Sequence, residues 1–386
     1  MKGIFILFLC FTTLLNAQNW TSVSSVPTAG RDDGVCFSLN NFGYLVTGYL
    51  GSFNESSKLF QYDPSTNSWN EKALFPGTAR QYSAIFTLQN KAYLIGGYSE
   101  SGQALKDVWS YDAFTDSWTQ LNDFPGLARW HATALQIQGT AYFGMGTTAD
   151  STLADFWTYN PYQDSWTKLS DYPGGPNRSV LGFPLLNEGI FGGGFDISPI
   201  TYSPSWFSFN PATGTWTAIS PFPGGLRSYG TAISNDFNAL VGGGMDENSV
   251  FHNDCYLLDH TKTWKSVNAL PLTGLKGAKG FNLGGNFYLG TGLNSNMTRI
   301  SDFYKMEMPI PNVPETLVFP NPSKDYFNLI TEPNAKVSVF SVGGQPIQIL
   351  KTNDAGFLEI KQLPIGLYVC LIEGKNTSEV IKIAKL

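Results

Sequence analysis

Six basic side chains recur at one place in a repeating pattern. Arg31, Arg80, Arg129, Arg178, Arg227 and Lys276 each close a short Pro-centred stretch, spelled VPTAGR, FPGTAR, FPGLAR, YPGGPNR, FPGGLR and LPLTGLK. A guanidinium is a planar fork of donors, so six cations around one rim would favour an anion such as a carboxylated sugar or an acidic peptide. The same cations would serve equally well as scaffold, bonding carbonyls or an Asp of the next unit. Presence in every unit favours the scaffold, whereas a site must break the symmetry. Just after the cations stand Asp32-Asp33, Gln81-Tyr82, Trp130-His131, Ser179-Val180, Ser228-Tyr229 and Gly277-Ala278. Three of these pairs put an aromatic ring beside an Arg, which suits stacking on a sugar while the cation meets an anion. The ligand-binding residues expected are Arg80, Tyr82, Arg129, Trp130, His131, Arg178, Arg227 and Tyr229, with His131 first to be tested.

Other chemistry is sparse. Glu100, Asp150, Asp196, Asp246, Glu247 and His252 fall in loops expected on the same rim, and His260 falls in a turn on the opposite face. No HExxH, CxxC, GxSxG or GxxxxGK[ST] is present. Gly144-Met145-Gly146-Thr147-Thr148-Ala149 spells GxGxxA, but no helix is expected after it. Cys36, Cys255 and Cys370 match no metal spacing and read as buried free thiols. No metal, cofactor or catalytic residue is assigned.

The elements that must position these residues are short strands. Trp recurs at 20, 69, 118, 166, 216 and 264, within words such as YDPSTNSW, YDAFTDSW and YNPYQDSW. About seventeen residues after each cation comes a Gly cluster: TGY, GGY, GMG, GGG, GGG and GTG. Each unit therefore reads as four strands, a to d, with period-two alternation. Strand a follows the cation, b runs into the glycines, c carries the aromatic of the YDP word, and d begins at the Trp.

This pattern resembles the kelch repeat, whose unit is one four-stranded propeller blade. The resemblance covers residues 20 to about 308 and implies an all-β, six-bladed propeller. Five blades have their own d strand, so NWTSVSSV (19–26) is expected to complete the last blade by pairing near 301–308, closing the ring and removing an edge. The a strands begin at the channel mouth where the b–c and d–a connections lie, so the six cations are expected there.

The ends of the chain carry addresses. Residues 1–17 read as a secretory signal peptide, with Lys2, an apolar run from Ile4 to Leu15, and Ala17. Residues 309–316 (PIPNVPET) form a Pro-rich linker, and 317–386 alternate as a small β-sandwich. The words VFPNPS, VFSVGGQ, LPIGLYV and IKIAKL resemble the type A C-terminal sorting domain of the type IX secretion system. That implies export to the surface or medium of a Bacteroidetes-type cell and contact with the sorting machinery. A net charge of −6 gives no global attraction for nucleic acid, and no stretch is long enough to span a bilayer. The expectation is a binding module for a glycan or protein at the channel-mouth face. The alternative is an enzyme on an acidic sugar, similar to periplasmic sialic-acid mutarotases, which share kelch blades and a PGxxR-type turn.

Overall fold

Period-two alternation becomes pleated sheet throughout, and every regular element among the described residues is a β-strand. The structure, a computed structural model, describes residues 19–235, 238–308, 317–319, 326–341, 345–354, 356–374 and 378–385. The expected signal peptide, the linker and most of the VFPNPS word lie outside the described residues.

Six antiparallel sheets carry four strands in the order a-b-c-d, and the second gains a fifth, Arg80–Gln81. The inner strands are Val35–Leu39, Ala84–Leu88, Thr133–Ile137, Leu181–Leu185, Thr231–Ser234 and Lys279–Leu283. The first of these lies beside both the second and the last, and each of the others beside the next, so the inner strands close a cycle. Their side chains alternate between burial against neighbouring sheets and partial exposure on the inner face. Strand Trp20–Val23 pairs with Phe303–Met306, with Trp20 opposite Met306 and Val23 opposite Phe303. The sheet that ends the array is therefore completed by the strand that begins it.

The recurring word joins neighbouring sheets. In YDAFTDSW, Tyr111 donates its hydroxyl to Asp116 at 2.7 Å, and Asp116 also accepts the Ala73 backbone N–H of the preceding sheet at 3.0 Å. The Trp118 indole N–H reaches back to the Ala73 carbonyl at 3.1 Å. Tyr62 with Asn67, and Tyr159 with Asp164, repeat the latch. Phe209 and Leu258 stand where the Tyr would be, so this latch is confined to the first three sheets.

The glycine cluster has a local cause. Gly97 adopts φ 113°, and a Cβ there would lie 2.5 Å from Ser83 Oγ and 2.9 Å from the Gln81 carbonyl.

Beyond the propeller array, Leu317–Phe319, Phe327–Ile330 and Phe357–Ile360 form a three-stranded sheet. Pro346–Lys351, Lys336–Ser341, Gly366–Glu373 and Ser378–Lys385 form a four-stranded one. Phe327, Leu329, Val337, Val339, Cys370 and Ile372 share one apolar cluster.

Candidate functional site

Just before each inner strand the chain makes a tight step that carries the candidate residues. Asp33, Tyr82, His131, Ser179, Tyr229 and Gly277 occupy equivalent places, all with φ between 54° and 66°. Asp33 N–H donates to Gly277 O at 3.0 Å, Tyr82 to Asp33 at 2.9 Å and His131 to Tyr82 at 3.1 Å. Ser179 donates to His131 at 3.1 Å, and Gly277 to Tyr229 at 2.9 Å. A non-glycine residue in this region costs on the order of 1 kcal/mol, which the inter-sheet bonds offset. The result is a ring of six backbone steps joined by five inter-sheet bonds, open between Tyr229 and Ser179, with side chains chosen freely at each place.

The ring collects four of the expected residues. The Tyr82 and His131 rings lie 3.7 Å apart by centroid, and Tyr229 packs edge-on against His131 at 5.0 Å. Arg178 donates to the Tyr229 hydroxyl at 3.2 Å, and His131 Nδ1 meets Ser179 Oγ at 3.1 Å. Lys276 sits over the Tyr229 ring at 4.8 Å. Asp33, 2% exposed, hydrogen-bonds Tyr82. His131 Nε2 and Asp33 Oδ2 have no protein partner.

Electrostatics push the two buried titratable groups in opposite directions. Burial, with the like charge of Asp32, raises the Asp33 carboxyl well above the ordinary carboxylate range. Burial, with the cations Arg178, Lys279 and Lys276, lowers His131 well below its ordinary value. At neutral pH His131 is therefore a neutral imidazole.

The expectation that all six cations ring the mouth is corrected. Arg80 is 0% exposed and grips Asp107 through two bonds of 2.6 and 2.7 Å, while also donating to Gly96 O and stacking at 4.9 Å on Phe75. Arg129 repeats this with Asp155 at 2.5 and 2.8 Å, and Arg227 with Asp254 at 2.9 and 2.7 Å. These three are structural ties between strands a and c, with no face open to a ligand. Arg31 occupies the same slot but faces Thr47 O and Ser56 Oγ, because Lys58 stands where the others have Asp. Burial lowers Arg31 to about 10.

Arg178 and Lys276 are different. The stretches YPGGPNR and LPLTGLK run one residue longer between the core aromatic or Leu and the cation than FPGTAR does. Asn177 and Leu275 therefore fill the buried slot, and the cation moves one place outward. Strand register proves the shift: Arg178 pairs with Phe195 and Lys276 with Leu293, as Trp130 does with Thr147 and Gln81 with Tyr98. Trp130 is half-buried against Tyr98, with ring centroids 4.7 Å apart. It belongs to the outer rim, beside the ring rather than in it.

Sequence reasoning passed over three participants. Asp33 was visible as the residue in register with Tyr82. Arg299, which bonds Asp32 at 2.6 Å and lies over Tyr49, and Lys279, at the start of an inner strand, carried no repeating signal.

Inside the inner strands lies a cavity of about 370 Å³ that continues into a narrower part of about 180 Å³ below the ring. Among the described residues no group of three or more His, Cys, Asp or Glu side chains is placed to hold a metal. No helix among them is long and apolar enough to cross a membrane.

Residues 6–182 match the family described as KLHDC2/KLHL20/DRC7 Kelch-repeats domain, and residues 317–385 match the Secretion system C-terminal sorting domain. No curated protein matches the chain. Among solved structures, that of YjhT is similar in fold, with TM-score 0.61 at 16% identity, covering 73% of this chain and 95% of that one. The repeat words, the sheets they form and these matches agree: the chain is a kelch-repeat β-propeller protein carrying a type IX secretion C-terminal sorting domain.

Proposed function

We propose that this is an exported six-bladed propeller that binds an acidic glycan on the face carrying the backbone ring. The blade count is supported by the six sheets with a-b-c-d order and by the pairing of Trp20–Val23 with Phe303–Met306. In this reading residues 1–17 direct export, 18–308 form the propeller, and 317–386 form a β-sandwich that the type IX machinery recognises before attachment to the surface or release.

One observation carries the binding role. Where the repeat departs from itself, Arg178, Lys276, Tyr82, His131 and Tyr229 come together, each aromatic within reach of a cation or another ring. Arg178 and Lys276 are only half-buried and make no ion pair with a protein carboxylate among the described residues, so both charges remain for an anion. The flanking Trp130 supplies a stacking face at the rim. A glycan array probed with the exported chain tests this. Binding to acidic glycans should fall at least tenfold in the Arg178→Ala, Lys276→Ala double variant. Selection of neutral glycans, or of none, would remove the reading, and capture of acidic peptides instead would redirect it to a protein partner.

A second reading is an enzyme on an acidic sugar. Asp33, favoured in its protonated form, and neutral His131 have the complementary states that acid–base chemistry uses. Their burial argues for a structural role unless the ring opens. Anomer exchange of a sugar acid, followed by NMR with and without the protein, discriminates: an unchanged rate leaves binding alone.

A further inference from the structure

The two ends of the axial cavity differ in what stands beside them. At one end the side chains of Tyr82, His131 and Tyr229 pack on one another within the backbone ring, beside the buried Asp33. Gly277 belongs to the same ring, and a Cβ there would lie 2.5 Å from Asp33 Oδ1. At the other end the half-buried Ser38, Thr87, Gln136, Ser234 and Asn282 line the opening beside the a–b turns. All five are polar and uncharged. Between them and the ring stand Cys36, Ile85 and four small residues, Ala134, Gly182, Ala232 and Gly280, so that only one strand contributes a branched side chain at this level.

One charge reaches this space. Lys279 lines the inner part and is the one charged side chain among the residues that line either part of the cavity. It makes no ion pair or hydrogen bond among the described residues. Of the nearby carboxylates, Asp32 pairs with Arg299 at 2.6 Å, while Asp33 feels the Lys279 charge but is held by burial toward its neutral form and makes no ion pair with it. The hydroxyls of Ser83, Thr133 and Thr231 at the same end donate to the carbonyls of Gly96, Val180 and Ala278, so they offer no proton to a ligand. Lys279 is left as the strong donor of the well, in a partly dehydrated setting where an unpaired charge favours a counter-ion.

We propose that the axial well is a second binding site, for a small organic anion with a hydroxylated, uncharged body. Its carboxylate or phosphate sits on Lys279, and its body lies along Ser38, Thr87, Gln136, Ser234 and Asn282. It enters from the face opposite the backbone ring. A cavity of about 370 Å³ suits a molecule of single-sugar size. The ring separates this site from the outer face, so failure of either leaves the other standing.

Cys36 is a built-in reporter, because it lines both parts of the cavity while Cys255 and Cys370 are buried elsewhere. Modification of Cys36 by a small thiosulfonate is followed by mass spectrometry in the exported chain, with D-gluconate, glucose 6-phosphate or glucose as probe. At millimolar concentration one or both anions should slow modification at least tenfold, and neutral glucose should not. The anion that protects identifies carboxylate or phosphate as the recognised group. Lys279→Gln should abolish protection, and Asn282→Asp, which places a negative charge at the opening, should weaken it even if Lys279→Gln folds poorly. Thr87→Trp with Gln136→Trp should slow modification without any probe, whereas Lys276→Ala on the outer face should leave it unchanged. Absence of protection by either anion, or equal protection in Lys279→Gln, overturns the site. Modification slowed by neither Trp overturns the entrance.

Discussion

Two arginines one sequence repeat apart have opposite roles here, and the difference is a single residue of loop. Arg129 is buried in a bidentate pair with Asp155, whereas Arg178 is displaced outward by the longer YPGGPNR turn. Breaking a buried pair costs about 3–5 kcal/mol. Arg129→Ala should therefore lower the melting temperature sharply, while Arg178→Ala should stay within about 1 kcal/mol of the parent and lose ligand. Equal melts for the two would contradict the assignment. Arg31 offers the converse test, since its Nε and Nη2 are orphaned. Lys58→Asp recreates the partner that Arg80 finds in Asp107 and should stabilise the fold by about 1–2 kcal/mol; a drop in melting temperature would show that Arg31 is satisfied as it stands. At Asp33 the sign follows from burial, which raises its pKa above the unfolded value of about 3.9. The folded state then holds a proton that the unfolded state has lost, so the stability Asp33 contributes is fully present below about pH 4 and is lost as pH rises through its folded pKa. Asp33→Asn should become progressively more stable than the parent across that rise, with the gap levelling off above it. A gap independent of pH would mean that Asp33 is ionised in the fold.

At the scale of elements, closure rests on one short strand. Trp20–Val23 gives the last sheet its fourth member, and Trp20 Nε1 bonds the Asn268 carbonyl of the preceding sheet at 3.1 Å. Trp69 Nε1 likewise reaches Ser24 O at 2.8 Å, so the segment after this strand is held by the first sheet as well. Deleting residues 19–26 would expose the edge of Phe303–Met306 and unpin two neighbouring sheets. Chemical denaturation should then lose its single cooperative transition, or the chain should associate edge to edge. A monomer with an unchanged transition would show that the strand is dispensable. The latch of the first three sheets, Tyr to Asn or Asp, was legible in the words YDPSTNSW, YDAFTDSW and YNPYQDSW, because Tyr and the acceptor stand at a fixed separation. Its absence from the later sheets was equally legible in FNPATGTW and LDHTKTW.

For the molecule as a whole, the propeller supplies a rigid ring and the C-terminal match supplies the route of export. Removal of residues 317–386 should hold the propeller inside the cell envelope instead of at the surface or in the medium, measured by fractionation and immunoblot. Normal export of the truncated chain would contradict the sorting role. The two faces of the ring differ in chemistry: one carries aromatics and cations, the other uncharged hydroxyl and amide side chains. Ligands suited to one face are poorly suited to the other.

The repeat words alone determined the strand order, the family and the completion of the last sheet, because each rests on local periodicity and on counting. They also marked the positions that break the repeat, of which Tyr82, His131 and Tyr229 do meet. The roles of the six repeating cations were decided by the tertiary structure. Whether a guanidinium is a tie or a ligand contact depends on an Asp 26 or 27 residues away on strand c, and on one extra residue in the preceding turn. Lys279 needed it as well, since a lysine at the start of an inner strand becomes a lone charge only when six strands close around it. Burial and pairing are properties of the closed ring, and no single repeat contains them.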